Sequence, residues 1–310
     1  METPVLLITF NRPEYTRKML MALKEANVKN LYVFKDGPRP FNEDDKKKSQ
    51  EIENLVRNID WDCNLNVNFM NNNLGCGWGP YSAISWAFQY VDRLIILEDD
   101  CIPTKAFFEY CTYLLEKYKD NEKVRHISGW NNNEEHKIFK EYDYIFTQYA
   151  HTWGWATWKR VWNNFSLHEQ HTIIPFFRKG GFTNQFASKE EAIFFNNWYI
   201  NRKSPLKEVL HSWDYQFAVH SRINGALAIC PAKNLIKYIG EEGTHKSDSI
   251  NFKIKVCDNF KILKEPETVD FIPDYEKYYF KKFHNISYKY LIWTILNKLK
   301  YITIGRPDFN

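Results

Sequence analysis

No apolar run in this 310-residue chain comes near the roughly 18 residues that suggest a membrane-spanning helix. Its six cysteines (63, 76, 101, 111, 230 and 257) form no CxxC pair and have no zinc-like spacing. They read as reduced thiols of a cytosolic protein. The start, Met-Glu-Thr-Pro, enters a strand at once with neither a basic region nor a cleavage site, so no secretory signal is expected. Long Lys/Arg tracts are missing, the formal net charge is only +4, and no nucleic-acid-binding signature occurs, so nucleic acid is not expected as a partner. The glycine-rich stretch Leu74-Gly-Cys-Gly-Trp-Gly-Pro80 has the wrong spacing for a Walker or dinucleotide fingerprint. It reads as a turn where backbone approaches a ligand or a neighbouring strand.

What is present is ordinary for a folded protein: 44% apolar and 26% charged residues. Aromatic content is high at 17%, with 11 Trp, which suits stacking on sugar or base faces and suits bulky cores equally. The chain centres on Arg93-Leu-Ile-Ile-Leu-Glu98-Asp99-Asp100-Cys-Ile-Pro103. Leu94 to Leu97 reads as a strand buried on both faces, which Pro103 terminates. Glu98, Asp99 and Asp100 then fall at its carboxyl end, where open α/β sheets gather ligands. Three adjacent acids repel one another unless a cation or hydrogen-bond donors neutralise them. A solvated turn before a helix is the other reading.

Strands and helices alternate through the first half. Strands are expected at 5–10, 31–34, 65–70, 94–97 and 124–129, and helices at 13–26, 42–59, 81–91 and 104–119. Such a run implies right-handed crossovers and a mostly parallel sheet flanked by helices. The alternation then stops. His151 to Trp162 carries Trp153, Trp155, Trp158 and Trp162, which read either as a core cluster of helical or turn spacing or as an aromatic wall for an acceptor sugar. Residues 163–211 look irregular, like an insertion or lid. A helix at 215–223, a strand at 226–230 and the loop Gly240-Glu-Glu-Gly243-Thr244-His245 follow.

In this order the chain resembles GT-A fold, nucleotide-sugar-dependent glycosyltransferases, and within them the N-acetylglucosaminyltransferase I type and its bacterial relatives. The matching residues are Thr9-Phe10-Asn11-Arg12, Asp36, Leu97-Glu98-Asp99-Asp100, Phe107-Phe108-Glu109-Tyr110, Gly129-Trp130-Asn131, Trp153-Gly154-Trp155, Trp213-Asp214 and Gly243-Thr244-His245. The resemblance implies a glycosyltransferase domain over 1–250, with a nucleotide-sugar half at 1–130, an acceptor half at 131–250, and an extension at 251–310. It implies that Arg12 contacts the diphosphate, that Asp36 hydrogen-bonds uracil, and that Glu98 and Asp99 touch the donor sugar and ribose, with Trp155 on the donor side. Asp100 and His245 would hold Mn²⁺ or Mg²⁺, and Asp214 would be the base of an inverting reaction. If Asp214 is not the base, Glu208, Glu241 and Glu242 are the alternatives. The donor would be a nucleotide sugar, with UDP the favoured nucleotide, and the acceptor a glycan or lipid-linked glycan in surface polysaccharide or glycan assembly.

The chemistry asks for the same residue types. A diphosphate leaving group needs a hard cation on oxygen ligands, and a hydroxyl nucleophile needs a carboxylate or imidazole to take its proton. A sugar-1-phosphate nucleotidyltransferase is the alternative enzyme, but Asn11-Arg12-Pro13 stands where its early glycine-rich loop should be. A carbohydrate-binding protein without turnover is the third reading. Beyond Tyr288, Leu291, Ile292, Ile295, Leu296, Leu299 and Ile302 keep helical spacing among Lys289, Lys298 and Lys300. An amphipathic helix over 286–304 could then lie on the inner membrane face or dock on protein.

Overall fold

A computed structural model describes residues 1–167, 186–200, 213–240 and 254–284. The chain divides into two compact units, Met1–His168 with Lys207–Ile272, and Glu169–Leu206 with Pro273–Asn310.

The first unit opens with β1 (Val5–Thr9), α1 (Pro13–Glu25), β2 (Asn30–Lys35), α2 (Glu43–Arg57), β3 (Asn64–Phe69), α3 (Gly75–Ala87) and β4 (Arg93–Glu98). All five residues of β1 are buried, as are Leu94 to Leu97 of β4. These runs lack alternation because helices cover both faces of a sheet interior. β1 lies parallel to β2 on one side and to β4 on the other, which sets Ile8 opposite Glu98. Pro13 occupies the first turn of α1, where its missing N–H costs nothing. The glycine-rich stretch departs from expectation: α3 already begins at Gly75 and contains Pro80. Pro80 is the sixth residue of the helix, beyond its first turn, so α3 forgoes one intrahelical N–H there.

Next come β5 (Cys101–Pro103), α4 (Lys105–Lys117), β6 (Val124–Ser128), a 3₁₀ turn at Lys137–Lys140, β7 (Tyr144–Thr147), β8 (Trp155–Trp158) and α5 (Lys159–Trp162). The Thr104 hydroxyl caps α4 by accepting the Phe107 N–H at 3.2 Å. Pro103 therefore does not end the sheet structure; it closes a short strand. The tryptophan run is a core element, and its central part is strand rather than helix. Trp155 and Trp158 are buried on β8, which inserts antiparallel between β4 and β6. α7 (Trp213–Ile223), β9 (Leu227–Pro231) and β10 (Ile236–Tyr238) complete this unit.

The main sheet has eight strands in the order β3-β2-β1-β4-β8-β6-β9-β7. Its first four strands run parallel, β6 and β9 are parallel to each other, and β8 and β7 run against their neighbours. The sheet crosses residue 130 without a break, so the two halves read from the sequence share one framework. β10 pairs with β5 in a small separate ribbon, with Tyr238 opposite Cys101.

In the second unit, α6 (Lys189–Ile200) is helical within the 163–211 stretch expected to be irregular, of which 168–185 and 201–211 lie outside the described residues, and α8 (Pro273–His284) is the other described helix. Ser188 begins α6 by accepting the Glu191 N–H at 3.1 Å. The Phe194 and Phe280 rings meet at 5.6 Å. Residues 286–304 lie outside the described residues. Among those described, no helix is long and apolar enough to cross a membrane. No disulfide joins any of the six cysteines.

Candidate active site

The carboxyl ends of two neighbouring strands build the site. β1 delivers Asn11 and Arg12, and β4 delivers Glu98, Asp99 and Asp100. The parallel register brings the two turns side by side. Arg12 Nη1 donates to Asp100 Oδ2 at 2.9 Å and to Asp99 Oδ1 at 3.3 Å. The turn carrying Arg12 is held from below: Asn11 Nδ2 donates to Asp45 Oδ1 at 2.8 Å. Asp45 is fixed in turn by the Arg39 guanidinium, with Nε at 2.6 Å and Nη2 at 2.9 Å, and this pairing holds its carboxyl down at about 2.

Three acids face one guanidinium, so negative charge is in surplus. Burial is the largest cause that pushes the Asp99 carboxyl up to about 7; Asp100 adds to it and Arg12 opposes it. Glu98, half-buried, is pushed up by burial, then by Asp100, Asp214 and Asp99. Such a cluster accepts a proton or a cation more readily than an ordinary carboxylate does. Hard oxygen donors of this kind suit Mg²⁺ or Mn²⁺. Among the described residues no group of three His, Cys, Asp or Glu side chains is arranged to hold a metal. That does not disqualify the acids, since Mg²⁺ sites commonly use one or two carboxylates and take their remaining oxygens from substrate phosphates and water. Asp99 and Asp100 meet that requirement. His245, Glu208, Glu241 and Glu242 lie outside the described residues.

Asp214 sits in the first turn of α7, one residue inside the helix rather than before it. Burial is the main cause that raises the carboxyl of Glu98 and the thiol of Cys76 at the start of α3, and the charge of Asp214 adds to both. Asp214 thus belongs to the same electrostatic group as the acids of β4, although it lies more than 100 positions further along the chain.

Two expected residues have firm protein partners. Asp36 is buried, and its carboxylate accepts four N–H groups: Gly37 and Leu74 at 2.8 Å on Oδ1, and Asn73 Nδ2 at 2.9 Å and Gly75 at 3.1 Å on Oδ2. It ties the end of β2 to the start of α3. Gly37 is required beside it, since a Cβ there would stand 2.4 Å from the Asn72 backbone. Trp155 lies inside the core at 1% exposure, stacked on His126 at 4.7 Å and on Trp213 at 5.6 Å. Its ring has no open face.

Sequence reading missed Cys101, Tyr238 and Gly240. The Cys101 S–H donates to Asp100 Oδ1 at 3.3 Å. A Cβ on Gly240 would stand 2.3 Å from the Tyr238 hydroxyl and 2.8 Å from Asp100 Oδ2. Burial and the nearby Asp100 push the Tyr238 phenol up to about 12. The available signal was the strand pairing of 236–238 with 101–103, and three-residue strands leave almost no pattern in a sequence.

No protein-family profile matches this chain, and no curated protein matches it. Among solved structures it is similar to 4-diphosphocytidyl-2C-methyl-D-erythritol synthase from Anaerococcus prevotii, with a TM-score of 0.32 and 8% sequence identity. That match covers 57% of this chain and 84% of the other.

Proposed function

We propose that this chain is a metal-dependent glycosyltransferase that moves a hexosyl or N-acetylhexosaminyl group from a nucleotide-diphosphate donor, with UDP favoured, to a hydroxyl of a glycan or lipid-linked glycan. The observation that carries the reading is the meeting of Arg12 with Asp99 and Asp100 at the ends of β1 and β4, with Asp214 acting on Glu98 from α7. A cation, a pair of acids and a separate carboxylate are the groups that a displacement at a sugar diphosphate requires.

In this reading Arg12 neutralises the diphosphate and Glu98 and Asp99 orient the donor's hydroxyls. Asp100, with Asp99 beside it, holds Mn²⁺ or Mg²⁺; when bound, the ion stabilises the charge developing on the leaving phosphate oxygen. His245 is proposed as a second ligand. Asp36 acts on the base through the loop it fixes. Asp214 takes the proton of the acceptor hydroxyl as that hydroxyl attacks the anomeric carbon from the side opposite the diphosphate. The product then has inverted configuration. Acids committed to the donor cannot serve on the acceptor side, which leaves this task to Asp214.

Purified protein incubated with UDP-, GDP-, CMP- and dTDP-sugars, with and without Mn²⁺, tests the reading. Slow hydrolysis of one donor class, dependent on Mn²⁺, is the expected result. Pyrophosphate release from a nucleoside triphosphate and a sugar phosphate would replace it with nucleotidyl transfer. Glycan binding with no turnover of any donor would replace it with a lectin-like role.

A further inference from the structure

Every oxygen of the Asp100 carboxylate is already engaged. Oδ2 accepts from Arg12 Nη1 at 2.9 Å, and Oδ1 accepts from the Cys101 thiol at 3.3 Å. Its backbone is pinned, because the carbonyl accepts the Ile239 N–H at 2.9 Å and β10 pairs with β5 just beyond it. Gly240 closes the space next to Oδ2 so tightly that a Cβ there would stand 2.8 Å from that oxygen. Each oxygen keeps a free lone pair, but a cation that binds Asp100 meets the positive charge of Arg12 at 2.9 Å and competes with it. Cys101 is fully buried and held in β5, whereas Arg12 is a long side chain with 27% of its surface exposed. Arg12 is the partner that can leave. The nitrogen that bonds Asp100 also bonds Asp99, so one movement uncovers both acids.

We propose that Arg12 is the resident counter-cation of Asp99 and Asp100 and makes cation binding conditional on the donor's diphosphate. The proposal rests on the nucleotide-diphosphate reading above. Without diphosphate, the guanidinium and a divalent ion compete for Asp100. The diphosphate offers Arg12 a better anion, with oxygens in the planar arrangement that a guanidinium matches. Arg12 swings to it, and the vacated carboxylates together with the phosphate oxygens receive the ion. The metal and the nucleotide then bind with positive linkage, each tightening the other by the same factor.

The test is calorimetry of Mn²⁺ alone, of UDP, GDP, CDP and dTDP alone, and of each pair. The proteins are the wild type, Arg12→Gln and Arg12→Lys, with folding checked by circular dichroism. For the wild type, the bound diphosphate should tighten Mn²⁺ at least about fivefold, and Mn²⁺ should tighten the diphosphate equally. Arg12→Gln should bind Mn²⁺ alone about tenfold tighter or more than the wild type, as removal of a charge at close range requires. It should bind the diphosphate more weakly and lose most of the linkage. Arg12→Lys, which keeps the charge, should hold Mn²⁺ alone near the wild-type level. Mn²⁺ binding by Arg12→Gln no tighter than by the wild type overturns the proposal. So does independence of the two ligands in the wild type, a result that needs no variant to fold. A wild type that binds none of the four diphosphates overturns instead the donor reading on which the proposal rests.

Discussion

The Asp36 carboxylate and the Leu74 backbone N–H are 2.8 Å apart although 38 positions separate them, and this bond joins the end of β2 to the first turn of α3. All four donors on Asp36 are N–H groups. Asp36→Asn would turn one acceptor oxygen into an amide that points its hydrogens at them. The variant should lose about 1–3 kcal/mol, the range for a buried polar group deprived of its partner. Urea denaturation measures the loss, and hydrogen exchange at Leu74 and Gly75 should quicken. Unchanged stability and exchange would mean that the bond does not hold the loop.

Asp214→Asn keeps the shape of the first turn of α7 and removes the proton acceptor. Turnover should fall by about 10²-fold or more, while donor affinity stays near the wild-type value. The product's anomeric configuration, read by NMR, should be inverted. Near-full activity in the variant would move the base to Glu208, Glu241 or Glu242.

Asp100→Asn removes a negative ligand at the cation position and weakens the hold on Arg12. Mn²⁺ and nucleotide binding should weaken together by calorimetry, with the thermal midpoint within a few degrees of wild type. Donor binding indifferent to EDTA, to this substitution and to His245→Ala would exclude a metal role.

Acid should destabilise the fold through His126. Burial pushes its imidazole down to about 3, and among the described residues its Nδ1 has no hydrogen-bond partner while Nε2 donates to the His151 carbonyl at 2.8 Å. The His151 imidazole is likewise pushed down, to about 4, by burial. In the unfolded chain both rings take up a proton near pH 6.5. Below that value the unfolded state binds protons that the folded state refuses, so stability falls as the pH drops from about 7 towards 4. Each such proton is worth about 1.4 kcal/mol per pH unit. His126→Gln should flatten the slope in urea melts taken across that interval. An unaltered slope would assign the acid sensitivity elsewhere.

Residues 286–304 are the segment proposed to touch a membrane. Sedimentation with anionic liposomes should carry down the full chain and leave a 1–284 version in solution. Equal, negligible binding by both would end the membrane idea.

β1, β2 and β4 were legible because strands buried on both faces write themselves as uninterrupted apolar runs, as in Val5 to Ile8 and Leu94 to Leu97. The acids after β4 were legible for the same reason, since the end of such a run marks the end of a strand. β8 was not. Trp155-Ala-Thr-Trp158 sets its bulky residues three apart, a spacing that suits a helix as well as a strand, and its partners β4 and β6 lie far away in sequence. The start of α3 hid behind three glycines and a proline, which ordinarily mark turns; Asp36, from the end of β2, gathers its first N–H groups. The pairing of Arg12 with Asp99 and Asp100 depends on a register between strands more than 80 residues apart, and a local pattern carries no register.

The place of β8 between β4 and β6 also matters while the chain is being made. β4 is finished at Glu98, yet the strand that covers its second edge begins only at Trp155. Over that interval the newly formed parallel half presents a bare row of amides and carbonyls along the apolar run Leu94 to Leu97. Such an edge invites pairing with other chains. Synthesis that halts before residue 155 leaves a sticky fragment. The tryptophans of β8, beyond filling the core, are the seal that ends this exposure.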